Sequence, residues 1–226
     1  ALIMHPADAS MPDDISFASV NMEYTFHGRP AHSAAFPWKG INALSGVIQM
    51  FNAVDAMRLH FKDFTRVHGI ITEGGTAHNT ITDKATAVFN IRALQYEYLM
   101  EVVEAINNCA KGSAMCFGGT VDIKQKSVVL KDIRNDKKIV NFVRNNMEFI
   151  NEEYIERDLT QGIGSTDAGN VTHEIPAIQF YIRLKAGIGT HTLDFAEASG
   201  GAEGLRTLSA AMKVLALSAL DVLLDN

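Results

Sequence analysis

Apolar residues recur along this chain with two periods, and the switches between them mark its elements. Over residues 17–28 they alternate with polar ones and include the β-formers Val20, Tyr24 and Phe26, which predicts a strand. From Ile41 they fall at Leu44, Val47, Ile48, Phe51, Val54 and Met57, a helical spacing that predicts a helix to about His60. Residues 65–73 read as a strand ended by Gly74-Gly75. Residues 84–94 read as another, with Ala85, Ala87, Phe89 and Ile91 on one face. Residues 95–117 read as a helix closed by Gly118-Gly119, and 120–128 as a fourth strand. This strand-helix-strand-strand-helix-strand order is the split βαβ, ferredoxin-like arrangement, with two helices on one face of an antiparallel sheet. The other face must be covered, paired or polar.

After Leu130 the texture changes. A charged linker, residues 132–138, opens a helix to about Glu152, and an irregular Gly-rich stretch follows at 161–170. A short apolar strand at 177–184 leads through a second Gly-rich loop, 186–190, to His191, and residues 201–224 read as a long helix. Strand, loop and helix suggest the tail of an α/β layer. One strand makes a poor sheet, and the opening ALIM run can supply a second. The expected organisation is therefore an α/β unit (residues 1–15 and 131–226) carrying an inserted α+β unit (16–130). The chain starts without Met inside an apolar run, which reads as a segment cut from a longer protein.

Composition narrows the class. Hydrophobic residues make up 47% and charged ones 20%, as in an ordinary globular chain. A formal charge of -6 with dispersed Lys and Arg disfavours a nucleic-acid partner. The longest apolar stretch, 210–224, is broken by Lys213, Ser218 and Asp221 and reads as too short and too polar to span a bilayer, so no membrane partner is expected. Nothing at the N-terminus resembles a signal peptide. Cys109 and Cys116 are separated by about 10 Å of helical rise, beyond disulfide reach. Two unpaired thiols point to a reducing compartment, the cytoplasm, and to core packing rather than chemistry.

The candidate chemistry rests on a few residues. His32 stands among Ser33, Ala34 and Ala35, with little bulk to keep a ligand away. His5 ends the first strand and His191 follows a Gly-rich loop after another; ends of strands in an open α/β layer are where sites collect. A plain loop histidine remains the alternative for each. Asn79, after Gly74-Gly75, and Arg92, toward the end of the next strand, can together clamp a carboxylate, with a turn-capping Asn and a surface Arg as the alternative. There is no HExxH, CxxC, GxGxxG, P-loop or GxSxG pattern, so a nucleotide cofactor and a nucleophile elbow have no support.

Five motifs in order resemble the aminoacylase-type metal-dependent amidohydrolases and peptidases: His5-Pro6 after ALIM, GRPAHSAAFPWKGINAL, GGTAHNTITDKATAVFNIR, GSTDAGN followed by Ile175-Pro176, and GTHTLDFAEASG. Pro37-Trp38, Gly40-Ile41-Asn42-Ala43 and GSTDAGN look most like the branch of aminobenzoyl-glutamate hydrolase B-type subunits and aminoacylase-1-like dipeptidases. The resemblance implies a ferredoxin-like lid, or dimerisation domain, inserted in an α/β metallohydrolase domain. It implies a homodimer in which His32 reaches the partner's site and polarises the scissile carbonyl. Asn79 and Arg92 would hold the substrate's carboxylate end, Gly164 and Ser165 would line the pocket, and His5 and His191 would bind metal. The implied cofactor is a pair of zinc or manganese ions, and the implied substrate a small N-acyl amino acid or dipeptide. Family members carry a His-x-Asp or Cys-x-His motif and a Glu-Glu pair upstream, the latter supplying the general base. This chain starts after both, so it is expected to be inactive alone, with an incomplete metal site. The other class of function that fits is a non-catalytic ferredoxin-like dimerisation or ligand-binding module.

Overall fold

The structure, a computed structural model, describes residues 1–158 and 162–225. Gln161, which opens the first Gly-rich stretch, lies outside the described residues. In chain order the elements are β1 (Leu2–Ala7), β2 (Ala18–His27), α1 (Ala43–Met57), β3 (Arg66–Glu73), β4 (Lys84–Ala93), α2 (Tyr96–Cys116), β5 (Thr120–Gln125), α3 (Lys137–Phe149), α4 (Ala168–Thr172), β6 (Ile178–Arg183), α5 (Leu193–Gly200) and α6 (Ala202–Leu224), with short 3-10 turns at Pro37–Lys39 and Arg58–His60. The chain forms two compact units, residues 18–130 and residues 1–17 with 131–226.

In the 18–130 unit four antiparallel strands lie in the order β3-β4-β2-β5. The alternation predicted for 84–94 is what the fold uses: Ala85, Ala87, Phe89 and Ile91 are fully buried beneath the helices. Val47, Met50 and Val54 of α1 and Leu99, Val102 and Ile106 of α2 meet them from above. Each such side chain contributes on the order of 1.5–3 kcal/mol by leaving water. Along β2 the opposite face is polar, with Ser19, Asn21, Glu23 and Thr25 at alternate positions, while β3 and β4 add the apolar pair Ile70 and Val88 to it. Helix α1 starts at Ala43 rather than Ile41 because Asn42 caps it: Leu44 N and Ser45 N donate to Asn42 Oδ1 at 3.0 and 3.3 Å. Both cysteines are free; Cys109 packs against the core, whereas Cys116 is exposed and plays no part in packing.

In the second unit β1 and β6 pair in parallel, Leu2 opposite Ile178 and His5 opposite Tyr181. Ile178, Phe180 and Ile182 pack with Val140, Val143 and Met147 of α3 and Ala211 and Val214 of α6. Helices α4 and α5 were not foreseen. Helix α5 buries a single residue, Ala198, so it has no apolar stripe to betray it. Its start is fixed by a cap instead, Phe195 N donating to Thr192 Oγ1. Helix α6 corrects the membrane expectation in part: at 23 residues it is long and apolar enough to cross a bilayer by length and composition. Polar contacts nevertheless tie it into this unit. Asn146 Nδ2 donates to Ser218 Oγ and Asp221 Oδ2, and Arg206 Nη1 to the buried Glu152 at 2.8 Å.

Beside β6, the buried carboxyl of Asp14 pairs with Arg157 at 3.1 Å. Burial raises the Asp14 pKa above 3.8, against the lowering effects of the Ile15 N–H, Arg157 and Tyr181. The neighbouring Tyr181 phenol is pushed up to about 12, chiefly by burial and then by Asp14. Because the folded pKa of Asp14 lies above the unfolded one, its stabilising contribution is fully present below the unfolded value and is lost as pH rises through the folded value. The stability of wild type minus that of Asp14→Asn is therefore expected to be largest near pH 4 and to fall toward pH 7. Urea unfolding of the two proteins across that range measures it, and a difference that is flat or rises with pH contradicts it.

Candidate functional site

The His32 loop is built by backbone pairing, not by a hydrophobic core. Gly28 N donates to Asp83 O at 2.7 Å, and Arg29 and Ile41 exchange two backbone bonds of 2.9 Å. A side chain at Gly28 would meet Ile41 O at 2.1 Å, so the crossing needs glycine. Residue 75 needs it as well: its φ is +105° and a Cβ would lie 2.4 Å from Thr82 Oγ1. His32 bridges to Thr80, and Ser33 holds the Asn79 carbonyl through both its N–H (3.1 Å) and its hydroxyl (2.9 Å). The fold thus brings the exposed His32 and Asn79 together. An open groove of about 390 Å³ lies alongside, lined by Asn42, Thr76, His78, Thr80 and Thr82 among others.

The tautomer of His32 follows from its neighbours. Ala34 N and Ala35 N both donate to Nδ1, each at 3.2 Å. Nδ1 is therefore the bare nitrogen, and Nε2 carries the proton of the neutral ring. The small residues that seemed merely to clear space are what supply these two N–H groups. The imidazole presents Nε2–H as a hydrogen-bond donor, the role that polarising a carbonyl requires.

Arg92 does not join this pair. His27, from which the His32 loop departs, pairs with Lys84, whereas Arg92 pairs with Ser19 near the other end of the same strand. Eight residues of strand separate Lys84 from Arg92, about 26 Å. An Asn79–Arg92 clamp within one chain is thus not formed. Arg92 is held instead by its Nε, which donates to Asn90 Oδ1 at 2.7 Å. Two further residues stand out on the His32 loop: Trp38, noted in sequence only as part of a motif, and Phe36, which was not singled out. Phe36 and Trp38 are 50% and 73% exposed, contact each other edge to face, and sit on a turn in which Phe36 N donates to His32 O. Their exposure is a tertiary fact; a Pro-Trp pair in sequence reads equally well as core.

In the other unit, His5 Nδ1 must donate to the Pro6 carbonyl, 2.7 Å away, because that oxygen can only accept. Nε2 then carries the lone pair of the neutral ring, as in histidines that bind metal through Nε2 while the second nitrogen is anchored. His191 is exposed and adopts φ +63°, immediately before the α5 cap. His5 does not end its strand as expected, because Pro6 and Ala7 continue the pairing opposite Ile182 and Arg183, whereas His191 follows β6 through a Gly-rich loop. Imidazole is a ligand type that suits a divalent metal such as zinc. Among the described residues no three His, Cys, Asp or Glu side chains come together to complete a site for one. Gly164 accepts a hydrogen bond from Phe17 N at 2.8 Å, and the Ser165 hydroxyl is buried with no hydrogen-bond partner among the described residues. An orphaned buried hydroxyl asks for a ligand or water.

Residues 16–114 match the family model of a peptidase dimerisation domain. Over most of its length the chain is similar to aminoacylase-type hydrolases and peptidases. It is 32% identical to mouse Xaa-Arg dipeptidase over 224 residues, covering 97% of this chain and 51% of that protein. It is 29% identical over 126 residues to the B-type subunit of p-aminobenzoyl-glutamate hydrolase from Escherichia coli, covering 55% of this chain and 26% of that protein. Among solved structures, the aminobenzoyl-glutamate utilization protein of Klebsiella pneumoniae superposes with a TM-score of 0.70 at 16% identity, covering 97% of this chain and 54% of that one. The chain spans about half the length of the curated dipeptidases it matches.

Proposed function

We propose that this chain supplies the dimerisation unit and part of the metal-bearing unit of a homodimeric, metal-dependent amidohydrolase or dipeptidase. Its substrate is a small N-acyl amino acid or dipeptide with a free carboxylate. One observation carries the reading: His32 and Arg92 stand at opposite ends of one sheet. A single small substrate cannot touch both in one subunit. A two-fold dimer can bring His32 of one copy to a substrate held by Arg92 of the other. The unpaired edge strand β3, with Ile70 and Ile71 exposed, supports self-association through this unit.

His32 donates from Nε2–H to the scissile carbonyl oxygen and strengthens that bond as negative charge develops there. Asn79, held at its own carbonyl by Ser33, stays beside His32 and offers its side-chain amide to the same substrate. Arg92 offers both Nη groups to the substrate carboxylate and orients the amide. His5 and His191 would hold the divalent ion, zinc or manganese. When bound, that ion supplies a nucleophilic water at neutral pH. Gly164 and Ser165 line the pocket in this reading, and the free thiols favour a reducing, cytoplasmic setting.

In the whole enzyme, chelation is expected to abolish hydrolysis of N-acyl amino acids or dipeptides, and zinc or manganese to restore it. His32→Ala is expected to lower kcat by about 10²–10³-fold with little change in KM, the signature of a donor used in the transition state. Chelator-insensitive turnover, or wild-type kcat in the variant, overturns the proposal.

A further inference from the structure

The pairing of β3 with β4 places Arg66 directly opposite Arg92. Val67 points into the core, so Arg66 and His68 share the open face of the sheet with Arg92 and Asn90. Residues opposed in this way have Cβ atoms about 4.5–5.5 Å apart, and like charges there destabilise the pair. Nothing acidic offsets them. Among the described residues neither guanidinium makes an ion pair; Arg66 donates to its neighbour's backbone, Thr65 O, and Arg92 to Asn90 Oδ1. The acids on this face are already engaged, Glu23 with Lys126, Glu73 with Lys84 and Asp122 with His27.

Arg92 is also held in place rather than loosely extended. Asn90 Oδ1 accepts a hydrogen bond from Arg92 Nε, and Asn90 Nδ2 donates to Asn21 Oδ1 (2.8 Å) and Ser19 Oγ (3.2 Å). The Nη edge of Arg92 is thereby left for a ligand, with a second, uncompensated guanidinium across the strand. We propose that Arg66 and Arg92 form one site for a ligand with two carboxylates, Arg92 taking the main-chain carboxylate and Arg66 a second, side-chain one. The ligand's identity rests on the proposed function: the amino acid released by hydrolysis is of the acidic, glutamate or aspartate type. A basic residue in the same place would face two guanidinium groups, a preference opposite to the one named for the mouse Xaa-Arg dipeptidase.

The test is binding to the chain itself, by calorimetry at low ionic strength, where charge is least screened. The probes are N-acetyl-L-glutamate and N-acetyl-L-glutamine, matched in size and different by one charge. N-acetylglutamate is expected to bind roughly tenfold more tightly, the scale of one charge-assisted pair. Arg66→Gln should abolish that preference and leave N-acetylglutamine affinity nearly unchanged, Arg66→Lys should retain most of it, and Arg92→Gln should weaken both probes. Without ligand, Arg66→Gln should melt no lower than wild type, because it removes a repulsion. Equal affinity of wild type for the two probes overturns the proposal, as does a preference that survives Arg66→Gln, a lower melting temperature of that variant, or inorganic phosphate competing as well as glutarate. No turnover is measured, so a failure of the hydrolase reading and a failure of this site register separately.

Discussion

A mixture of two inactive variants of the whole enzyme, His32→Ala and Arg92→Ala, is expected to recover activity. In the trans arrangement each site takes Arg92 from one subunit and His32 from its partner. Either homodimer therefore has two broken sites. In the mixed dimer the two lesions fall in the same site and the other site is intact. Random reassociation of equal amounts makes half of the dimers mixed, so about a quarter of wild-type activity should return in a two-fold symmetric enzyme. If both residues served their own chain's site, every site in every dimer would be broken and nothing would return. The roughly 26 Å of strand between the two ends of β4 is the physical reason to expect recovery. The measurement is kcat of the mixture after denaturation and refolding, against the same variants refolded separately and then combined.

Gly28→Ala is expected to cost about 2–4 kcal/mol of stability, as overpacking against backbone does. The new methyl would lie 2.1 Å from Ile41 O and 3.1 Å from Ala43 N, atoms fixed by the Arg29–Ile41 pairing and by the first turn of α1. Neither is a side chain that can swing away. The chain must open where the His32 loop leaves the sheet, so kcat should fall along with stability in the whole enzyme. Gly74→Ala is the control: its nearest contact is Leu44 Cδ1 at 3.6 Å, an ordinary packing distance. It should change stability by less than about 0.5 kcal/mol. Urea midpoints of the three proteins settle the comparison, and similar values for Gly28→Ala and Gly74→Ala contradict it.

The ferredoxin-like unit was legible because its signals are local and repeated. Alternation at β2 and β4 and the 3.6-residue stripe of α1 each bury one face, and the order of elements leaves few topologies. The Gly118-Gly119 stop of α2 was legible for the same reason, whereas the start of α1 was not: the Asn42 cap sets it two residues later than the apolar spacing suggests. Helix α5 was not legible, because a helix that buries one residue leaves no pattern in its sequence. The exposure of Cys116 was hidden for a related reason: at the last turn of α2 an apolar residue can face either way.

By itself, the sequence determined which residues could do chemistry and in what order they come. His32, Asn79, Arg92, His5 and His191 stood out as candidates from residue type, small neighbours and family motifs. Tertiary structure decided which of them meet. Strand pairing carried Asn79 to His32 and took Arg92 to the far end of the sheet, although Asn79 and Arg92 are the closer pair in sequence. Register, set between strands distant in the chain, placed Arg66 against Arg92. The fold of one small loop turned two alanine N–H groups onto His32 Nδ1 and so chose the nitrogen that keeps the proton. Residue identity fixes what a group can donate or accept; only the path of the backbone fixes what it faces.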